Sequence, residues 1–273
     1  MAKLMKTAIQ SVITELMDRV MNKVLVEDPF NSDLHRASKP LYAALVPDEI
    51  FKGSHFERRF VTPFGGVWEK LAQVAATEGM GAGTLGKKII GNVKEERLRR
   101  INEILNWLEH GERKKRKKPD WKTELQYVLE GGGKNIPVTI ISDVYVEDSR
   151  RKLKYAIELK APLPNSDQTK VSKEKILKLY AMEPRFVDAA YYALPYNPYG
   201  RREDYAWSFP ARWFDMRNDE VVLIGDEFWE RIGGAGTYRA FIDAINEIGQ
   251  AYRERIYREY LGIQPPATAP PQL

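Results

Sequence analysis

Apolar residues in the first 110 positions recur at helical spacing. Over residues 3–26 they fall three or four positions apart, with charged residues between them: Leu4, Ile9, Val12, Ile13, Leu16, Val20 and Val24. Similar periodicities over residues 48–60, 67–78 and 93–110 predict further amphipathic helices. The segment 63–66, Pro-Phe-Gly-Gly, predicts a break between the first two of these.

The middle of the chain changes to patterns that are typical of strands. Apolar runs, alternating or continuous, predict strands at 136–145, 152–160, 186–194 and 221–224. Helical patterns return at about 170–182, at 226–232 and at 238–260. Residues 121–130 fit either a strand or a helix. Together these elements predict an α/β (α+β) fold, with a central mixed β-sheet flanked by helices and helical additions at both ends.

The predicted order of elements favours a single domain over residues 1–263, although a length of 273 residues also fits two small domains. We expect an N-terminal helical part at about 1–110, a core at about 121–225 and C-terminal helices at 226–263. The proline-rich end, residues 264–273, is predicted to be a disordered tail.

Composition narrows the classes of function. Lysine and arginine number 43 against 38 acidic residues, and a modest basic excess fits a polyanionic partner without requiring one. The absence of cysteine excludes disulfides, thiolate metal sites and a cysteine nucleophile, and three scattered histidines argue against a histidine-based zinc site. Neither a signal peptide nor a membrane span is visible, so we expect a cytoplasmic protein without a membrane partner.

Two acids and a lysine carry the strongest candidate chemistry. Asp143 lies in one predicted strand, and Glu158 and Lys160 lie two positions apart on the next. Strand side chains alternate between faces, so Glu158 and Lys160 point the same way, and a hairpin would bring Asp143 close to them. Two carboxylates this close need a cation, and hard oxygen ligands suit Mg²⁺. The lysine could then orient or deprotonate a water, which suits hydrolysis of a phosphodiester.

A Glu-x-Lys pattern on an amphipathic strand is more often a solvated face. Three features favour chemistry here. The residues before Glu158 alternate as a strand does, a second strand-like run precedes Asp143, and a lysine-rich helix follows Lys160. A non-catalytic DNA-binding protein with an incidental motif remains an alternative.

The glycine-rich segment 81–88 resembles a phosphate-binding P-loop. The residue after its Gly-Lys pair should be serine or threonine, but it is Lys88, and a helical pattern precedes the segment where a strand should stand. Nucleotide hydrolysis is therefore weakly supported. A glycine-rich loop with two lysines could instead contact a DNA backbone.

Basic residues in two places are expected to contact DNA phosphates. The run 112–118 includes Lys115, Arg116 and Lys117, and six like charges in seven residues repel each other unless a counter-charge such as phosphate is near. A solvated loop and a localisation signal are the alternatives. Lys170 and Lys173, in the helix after Lys160, are expected to add phosphate contacts beside the site.

The loop 195–202 is expected to read bases. It is rich in tyrosine and proline and ends in Arg201 and Arg202, and an arginine can pair bidentately with a guanine edge in the major groove. An ordinary surface loop is the alternative.

Asp143 with Glu158-Leu159-Lys160 resembles the catalytic motif of the PD-(D/E)xK nucleases, with Ser142 where the motif has proline. The segment Ile157-Glu-Leu-Lys-Ala-Pro-Leu-Pro-Asn165 and the helix start that follows it are similar to type II restriction endonucleases that cut short palindromes with GG and CC halves. Residues 222–232 also resemble this group. The resemblance is strongest over about 143–180 and 221–245.

This resemblance implies a Mg²⁺-dependent enzyme that acts on double-stranded DNA as a homodimer. It assigns Asp143 and Glu158 to the metal, with Leu159 as a further metal ligand, and Lys160 to the attacking water. A repair or structure-specific nuclease of the same superfamily is an alternative. The apolar faces of the helices at 3–26 and 238–260 are predicted to form the dimer interface.

Two weaker assignments also follow from the resemblance. An acid on an upstream helix often joins the metal site in this superfamily, and Glu57 is the best candidate, with a surface salt bridge as the alternative. Gln168, at the start of the helix after the site, is expected to position Lys160 or a phosphate.

Overall fold

The computed structural model of the protein describes residues 2–110 and 117–266. These residues form two compact units. The sheet unit consists of residues 72–238, and the helical unit combines residues 2–71 with residues 239–266. No helix within the described ranges is both long enough and apolar enough for a membrane crossing.

The elements follow one another in an order that places helices at both ends. The helices are α1 Ala2–Asn22, α2 Ser32–Ser38, α3 Pro40–Ala43, α4 Asp48–Met80, α5 Glu95–Glu109, α6 Trp121–Leu129, α7 Ser166–Ala181, α8 Asp226–Gly233 and α9 Thr237–Arg255. The strands are β1 Gly81–Lys94, β2 Asn135–Asp148, β3 Leu153–Leu159, β4 Met182–Glu183, β5 Ala189–Leu194 and β6 Val222–Ile224. Residues 121–130, whose sequence fits either a strand or a helix, contain helix α6.

In the described residues, the strands form one six-stranded mixed sheet in the order β4-β1-β2-β3-β5-β6. The pairs from β4 to β3 are antiparallel, and β3, β5 and β6 are parallel to one another. The predicted mixed sheet flanked by helices is confirmed. Because β3 and β5 are parallel, their C-terminal ends lie at the same edge of the sheet. The loops that follow β3 and β5 therefore begin side by side.

Helices α5, α6 and α7 pack with the sheet around one apolar core. Its buried members come from the helices, the strands and the segment after β5: Ile101, Ile104, Leu105, Leu108, Trp121, Ile176, Leu177, Tyr192, Trp213 and Phe214. Asn165 caps the start of α7 by accepting a hydrogen bond from the Gln168 amide. The cap and the buried stripe together fix α7 beside β3.

The apolar face of α1 is buried inside the helical unit, which corrects the predicted dimer interface. Its buried residues are Met5, Ile9, Val12, Ile13, Leu16, Met17, Val20 and Met21. Polar contacts join α1 to α9, including Lys6 with Glu247 and the Tyr252 hydroxyl with Asp18, each at 2.5 Å. Apolar residues of α9, including Phe241 and Ala244, are buried as well, so these faces are not free for a second copy.

Helix α4 runs through Pro63, where a break was predicted. Four aromatic side chains spaced four residues apart explain the continuity, since residues at this spacing share one helix face. Ring centroids are 6.3 Å apart for Phe56 and Phe60, 5.2 Å for Phe60 and Phe64, and 4.9 Å for Phe64 and Trp68. This aromatic row spans the proline and offsets the hydrogen bond that proline removes.

Residues 81–94 form strand β1, so the comparison of this segment with a P-loop is wrong. The strand pairs with β2 along its length, and helix α4 precedes it where a P-loop requires a strand. Ile89 and Val93 point into the core and are buried. Glycines obscured this pattern, because they lack the side chains that mark alternation.

Candidate active site

The candidate site lies where strands β2 and β3 diverge. Their pairing runs from Asp148 opposite Leu153 to Val144 opposite Ile157. Beyond that point the buried Ser142 hydroxyl replaces main-chain pairing: it donates to the Val144 carbonyl at 2.8 Å and accepts from the Ile157 amide at 3.1 Å. This serine satisfies the main chain of both strands while opening a gap at the next position of β2.

Asp143 occupies this gap. The register between β1 and β2 places it opposite Gly86, whose φ of +58° lies in the left-handed region that glycine adopts without strain. The Asp143 carboxylate accepts a hydrogen bond from the Leu159 amide at 2.9 Å. The local interruption of the sheet therefore holds Asp143 against the end of β3.

Three oxygen atoms converge on the Lys160 ammonium. Its nitrogen Nζ lies 2.9 Å from Oδ2 of Asp143, 2.8 Å from Oε1 of Glu158 and 3.1 Å from the carbonyl oxygen of Leu159. The Lys160 amide is fixed in turn by donating to the Ala193 carbonyl of β5 at 3.0 Å. The prediction that a hairpin brings the two acids and the lysine together is confirmed.

Burial and charge act in opposite directions on Lys160. Burial alone lowers the pKa of its ammonium, but the carboxylates of Glu158 and Asp143 outweigh burial and raise the pKa of Lys160 above its ordinary value. The side chain is therefore charged at neutral pH. In this state it can donate hydrogen bonds and supply positive charge.

Two residues of α7 that the sequence reasoning missed also contact Glu158. Nζ of Lys175 lies 2.8 Å from Oε2 and 3.1 Å from Oε1, and the Ser172 hydroxyl donates to Oε1 at 3.2 Å. Ser172 and Lys175 are three positions apart and share a helix face. Their position in the helix could have predicted this contact: both lie beside Thr169 and Ile176, which are buried, and residues along a buried stripe face the sheet.

The oxygens around Lys160 form a set that suits Mg²⁺. Asp143 and Glu158 provide two carboxylates, and Leu159 provides a main-chain carbonyl. No group of three or more His, Cys, Asp or Glu side chains suited to a metal occurs in the part of the chain that the structure describes. Mg²⁺ commonly uses one or two carboxylates and takes its other oxygens from water and substrate phosphates, so this donor set fits the ion.

The family described as type II restriction endonuclease, HinfI, matches residues 5–249 of the chain. The chain belongs to this family. It is a type II restriction endonuclease, an enzyme that cleaves double-stranded DNA at specific sequences, and the resemblance to type II restriction endonucleases is confirmed.

Three type II restriction enzymes from Herpetosiphon aurantiacus are similar to this restriction endonuclease along most of their length. HgiCII is 27% identical over 242 residues, which cover 82% of each chain. HgiBI is 24% identical over 265 residues, or 93% of each chain. HgiEI is 26% identical over 233 residues, 82% of this chain and 81% of that enzyme. The likeness thus extends far beyond residues 143–160.

The predicted phosphate contacts of the endonuclease have different surroundings. Lys115 and Arg116 lie outside the described residues. Lys117 is exposed, with its ammonium 3.9 Å from the ring centroid of Trp107. Lys170 pairs with Glu109 at 2.5 Å and is partly exposed. Both lysines are accessible to solvent, and their contact with DNA stays a prediction.

The predicted contact of Lys173 with DNA is wrong. Its side chain is fully buried, pairs with Glu124 at 2.5 Å, donates to the Trp213 carbonyl and lies 4.9 Å from the ring centroid of Phe214. Burial lowers the pKa of Lys173 and raises the pKa of Glu124, and in both cases it outweighs their mutual attraction. Lys173 is a core residue, because α7 turns this position away from Lys170 and toward the interior.

Arg202 was predicted to read bases, but its guanidinium is bonded within the protein. Its guanidinium donates to the Met216 carbonyl at 3.1 Å and to the Asp219 carbonyl at 2.7 Å, and it pairs with Glu227 at 2.5 Å. These bonds hold the loop after β5 against the protein and leave the guanidinium engaged. Arg201 is exposed, so base reading by Arg201 stays a prediction.

Gln168 and Glu57 are both exposed. Gln168 lies in the first turn of α7, and its side-chain amide has no hydrogen-bond partner within the described ranges. Glu57 lies on α4 in the helical unit. Their assignments as a positioning residue and as a metal ligand stay predictions.

Proposed function

We propose that this restriction endonuclease hydrolyses DNA phosphodiester bonds with Mg²⁺ as its cofactor, and that Asp143, Glu158 and the Leu159 carbonyl hold the ion. The convergence of these three oxygens on one cationic nitrogen, that of Lys160, carries the proposal. When bound, Mg²⁺ supplies positive charge that offsets the charge developing on the phosphate.

Lys160 is the proposed partner of the attacking water. As a charged ammonium it orients the water by donating a hydrogen bond and adds positive charge beside the phosphate. Its backbone is held at the end of β3, because its amide donates to the Ala193 carbonyl of β5, and this keeps the side chain beside the site.

The proposed target is a short palindrome cut on both strands by a homodimer. The described residues of each chain hold one cluster of this kind, and one centre cuts one strand. A double-strand cut at a two-fold symmetric site therefore suits two copies related by a two-fold axis. The earlier resemblance to enzymes that cut GG and CC halves supports a G-rich half-site.

The role of Lys160 can be tested by separating binding from cleavage. Lys160→Ala should bind target DNA with near-normal affinity and cleave it about 10²–10³-fold more slowly, as expected when one preorganised donor is lost. Band-shift titrations and single-turnover cleavage measure the two quantities. Lys154→Ala is the matched control, since Lys154 is an exposed lysine of β3, the strand that Lys160 directly follows. Normal cleavage by Lys160→Ala would show that the assignment is wrong.

A further inference from the structure

Two ammonium groups share the Glu158 carboxylate. Lys160 lies 2.8 Å from Oε1, and Lys175 contacts both carboxylate oxygens, at 3.1 and 2.8 Å. The Glu158 side chain is 5% exposed, whereas that of Lys175 is 28% exposed. Lys175 therefore reaches the buried carboxylate from the solvent boundary, in a position from which its head group can leave.

The charges of this cluster balance without a metal ion. Asp143 and Glu158 contribute two negative charges, and Lys160 and Lys175 contribute two positive charges. A divalent cation on the two carboxylates would bring the total to about +2, and like charges this close in a partly buried site repel strongly. Uptake of the ion therefore favours loss of a lysine contact with Glu158 and arrival of an anion.

We propose that Lys175 is a positioning residue that competes with the divalent cation for Glu158 and so couples uptake of the cation to the presence of DNA. The inference rests on the proposed function of the site. In the free enzyme the Lys175 ammonium pairs with Glu158. When DNA is bound, a backbone phosphate offers the ammonium another partner and leaves the carboxylate to the cation.

Lys160 and Lys175 differ in how they respond to an incoming cation. The Lys160 ammonium lies among the oxygens of Asp143, Glu158 and Leu159 that would hold the ion, so it has to move aside, but its backbone is fixed beside the site by β5. Within the described part of the chain, the Lys175 ammonium contacts Glu158 alone. Because coupling between two ligands is reciprocal, DNA should tighten Mg²⁺ binding by the same factor by which Mg²⁺ tightens DNA binding.

The test compares Mg²⁺ affinity with cleavage in one set of variants. Calorimetric titration of Mg²⁺ into DNA-free enzyme should show Lys175→Met binding the ion about fivefold or more tightly than wild type, because the competing charge is gone. Its maximal cleavage rate at saturating Mg²⁺ should nevertheless fall, since the phosphate loses a cationic partner. The wild-type enzyme should need less Mg²⁺ for half-maximal cleavage than its DNA-free affinity implies, and Lys175→Met should lose this difference.

Two further variants control the experiment. Lys178→Met removes a lysine one turn along α7 that pairs with Glu174, and it should leave Mg²⁺ affinity unchanged. Lys175→Arg keeps the charge and should restore the wild-type Mg²⁺ affinity. If Lys175→Met does not fold, Lys175→Gln carries the same expectation.

Unchanged or weaker Mg²⁺ binding by folded Lys175→Met overturns the inference, because a merely structural lysine would weaken the site when removed. A wild-type enzyme that neither binds Mg²⁺ nor cleaves DNA with it overturns the proposed function instead. The two failures are distinguishable by the wild-type titration alone.

Discussion

Three lysines close together in sequence meet different electrostatic surroundings. Lys160 lies between two carboxylates that raise its pKa despite burial. Lys173 lies in the core, where burial dominates and lowers its pKa. Lys175 reaches the same carboxylate as Lys160 from the surface of α7. The role of each lysine depends on which acids face it and on how much water remains near it.

The Lys173 pair gives a stability prediction. Lys173→Met removes one partner of a buried ion pair and should lower the free energy of unfolding by about 3–5 kcal/mol, measured by urea denaturation. Adding Glu124→Met should restore most of this loss, because an apolar pair avoids the cost of burying charge. Lys178→Met, which removes a partly exposed pair, should cost less than about 1 kcal/mol.

A different result would contradict the assignment of Lys173 to the core. If Lys173→Met keeps its stability and flattens the salt dependence of DNA binding, then Lys173 contacts phosphate after all, since each lost phosphate contact reduces that dependence.

At the scale of elements, the site depends on the divergence of β2 from β3. Ser142 creates it by replacing a main-chain bond with its hydroxyl. Ser142→Ala should leave the buried Ile157 amide without its acceptor, lower the free energy of unfolding by about 1–3 kcal/mol and slow cleavage. Urea denaturation and single-turnover cleavage measure both effects. Ser149→Ala, which removes an exposed hydroxyl beyond the end of β2, is the control. A normal cleavage rate in Ser142→Ala would show that the divergence does not position Asp143.

Two neighbouring arginines in the loop after β5, Arg201 and Arg202, are expected to have different roles. Arg202→Ala should destabilise the protein by about 2 kcal/mol or more, because three charge-assisted bonds are lost. Arg201→Ala should leave stability within about 0.5 kcal/mol and weaken specific DNA binding by about 1–3 kcal/mol. Binding to target and non-target DNA, with urea denaturation, distinguishes them. Equal loss of specific and non-specific binding in Arg201→Ala would make this loop a backbone clamp.

For the whole molecule, the interface of the proposed dimer has to lie away from the α1 face. The helical unit exposes several large apolar side chains in one short stretch, each at least 62% exposed: Leu34, Leu41, Tyr42, Leu45 and Ile50. An ion pair between Arg36 and Asp48, at 2.5 Å, ties the two ends of this stretch together. Apolar surface of this kind suits a second copy of the chain.

This gives a prediction about assembly. The wild-type enzyme should sediment as a dimer, and Leu45→Asp should sediment as a monomer that accumulates nicked DNA, because one copy cuts one strand. Leu4→Asp, which changes an exposed leucine of the same unit outside this stretch, should remain a dimer. A wild-type enzyme that is monomeric both free and on DNA would contradict the dimer.

The sequence was sufficient for most of the sheet and for the acids and lysine of the site. Alternation and spacing fixed the β2–β3 hairpin, and with it the approach of Asp143 to Glu158 and Lys160. The sequence does not show which face of α7 packs against the sheet, because its lysines occupy several faces of the helix. For this reason it wrongly predicts a DNA contact for Lys173 and does not reveal the contact of Lys175 with Glu158. Strand β1 was missed because glycines interrupt its pattern, and α4 because its aromatic row compensates for Pro63.

The most direct test of the active-site assignment is a plasmid digest with and without Mg²⁺, using wild-type enzyme and Asp143→Asn. Asparagine keeps the shape of Asp143 and can still accept the Leu159 amide, but it lacks the charge that the ion needs. The wild-type enzyme should give discrete bands only with Mg²⁺, and Asp143→Asn should give none. Mg²⁺-independent cutting, or normal bands from Asp143→Asn, would contradict the proposed site, and a smear would contradict sequence-specific cleavage.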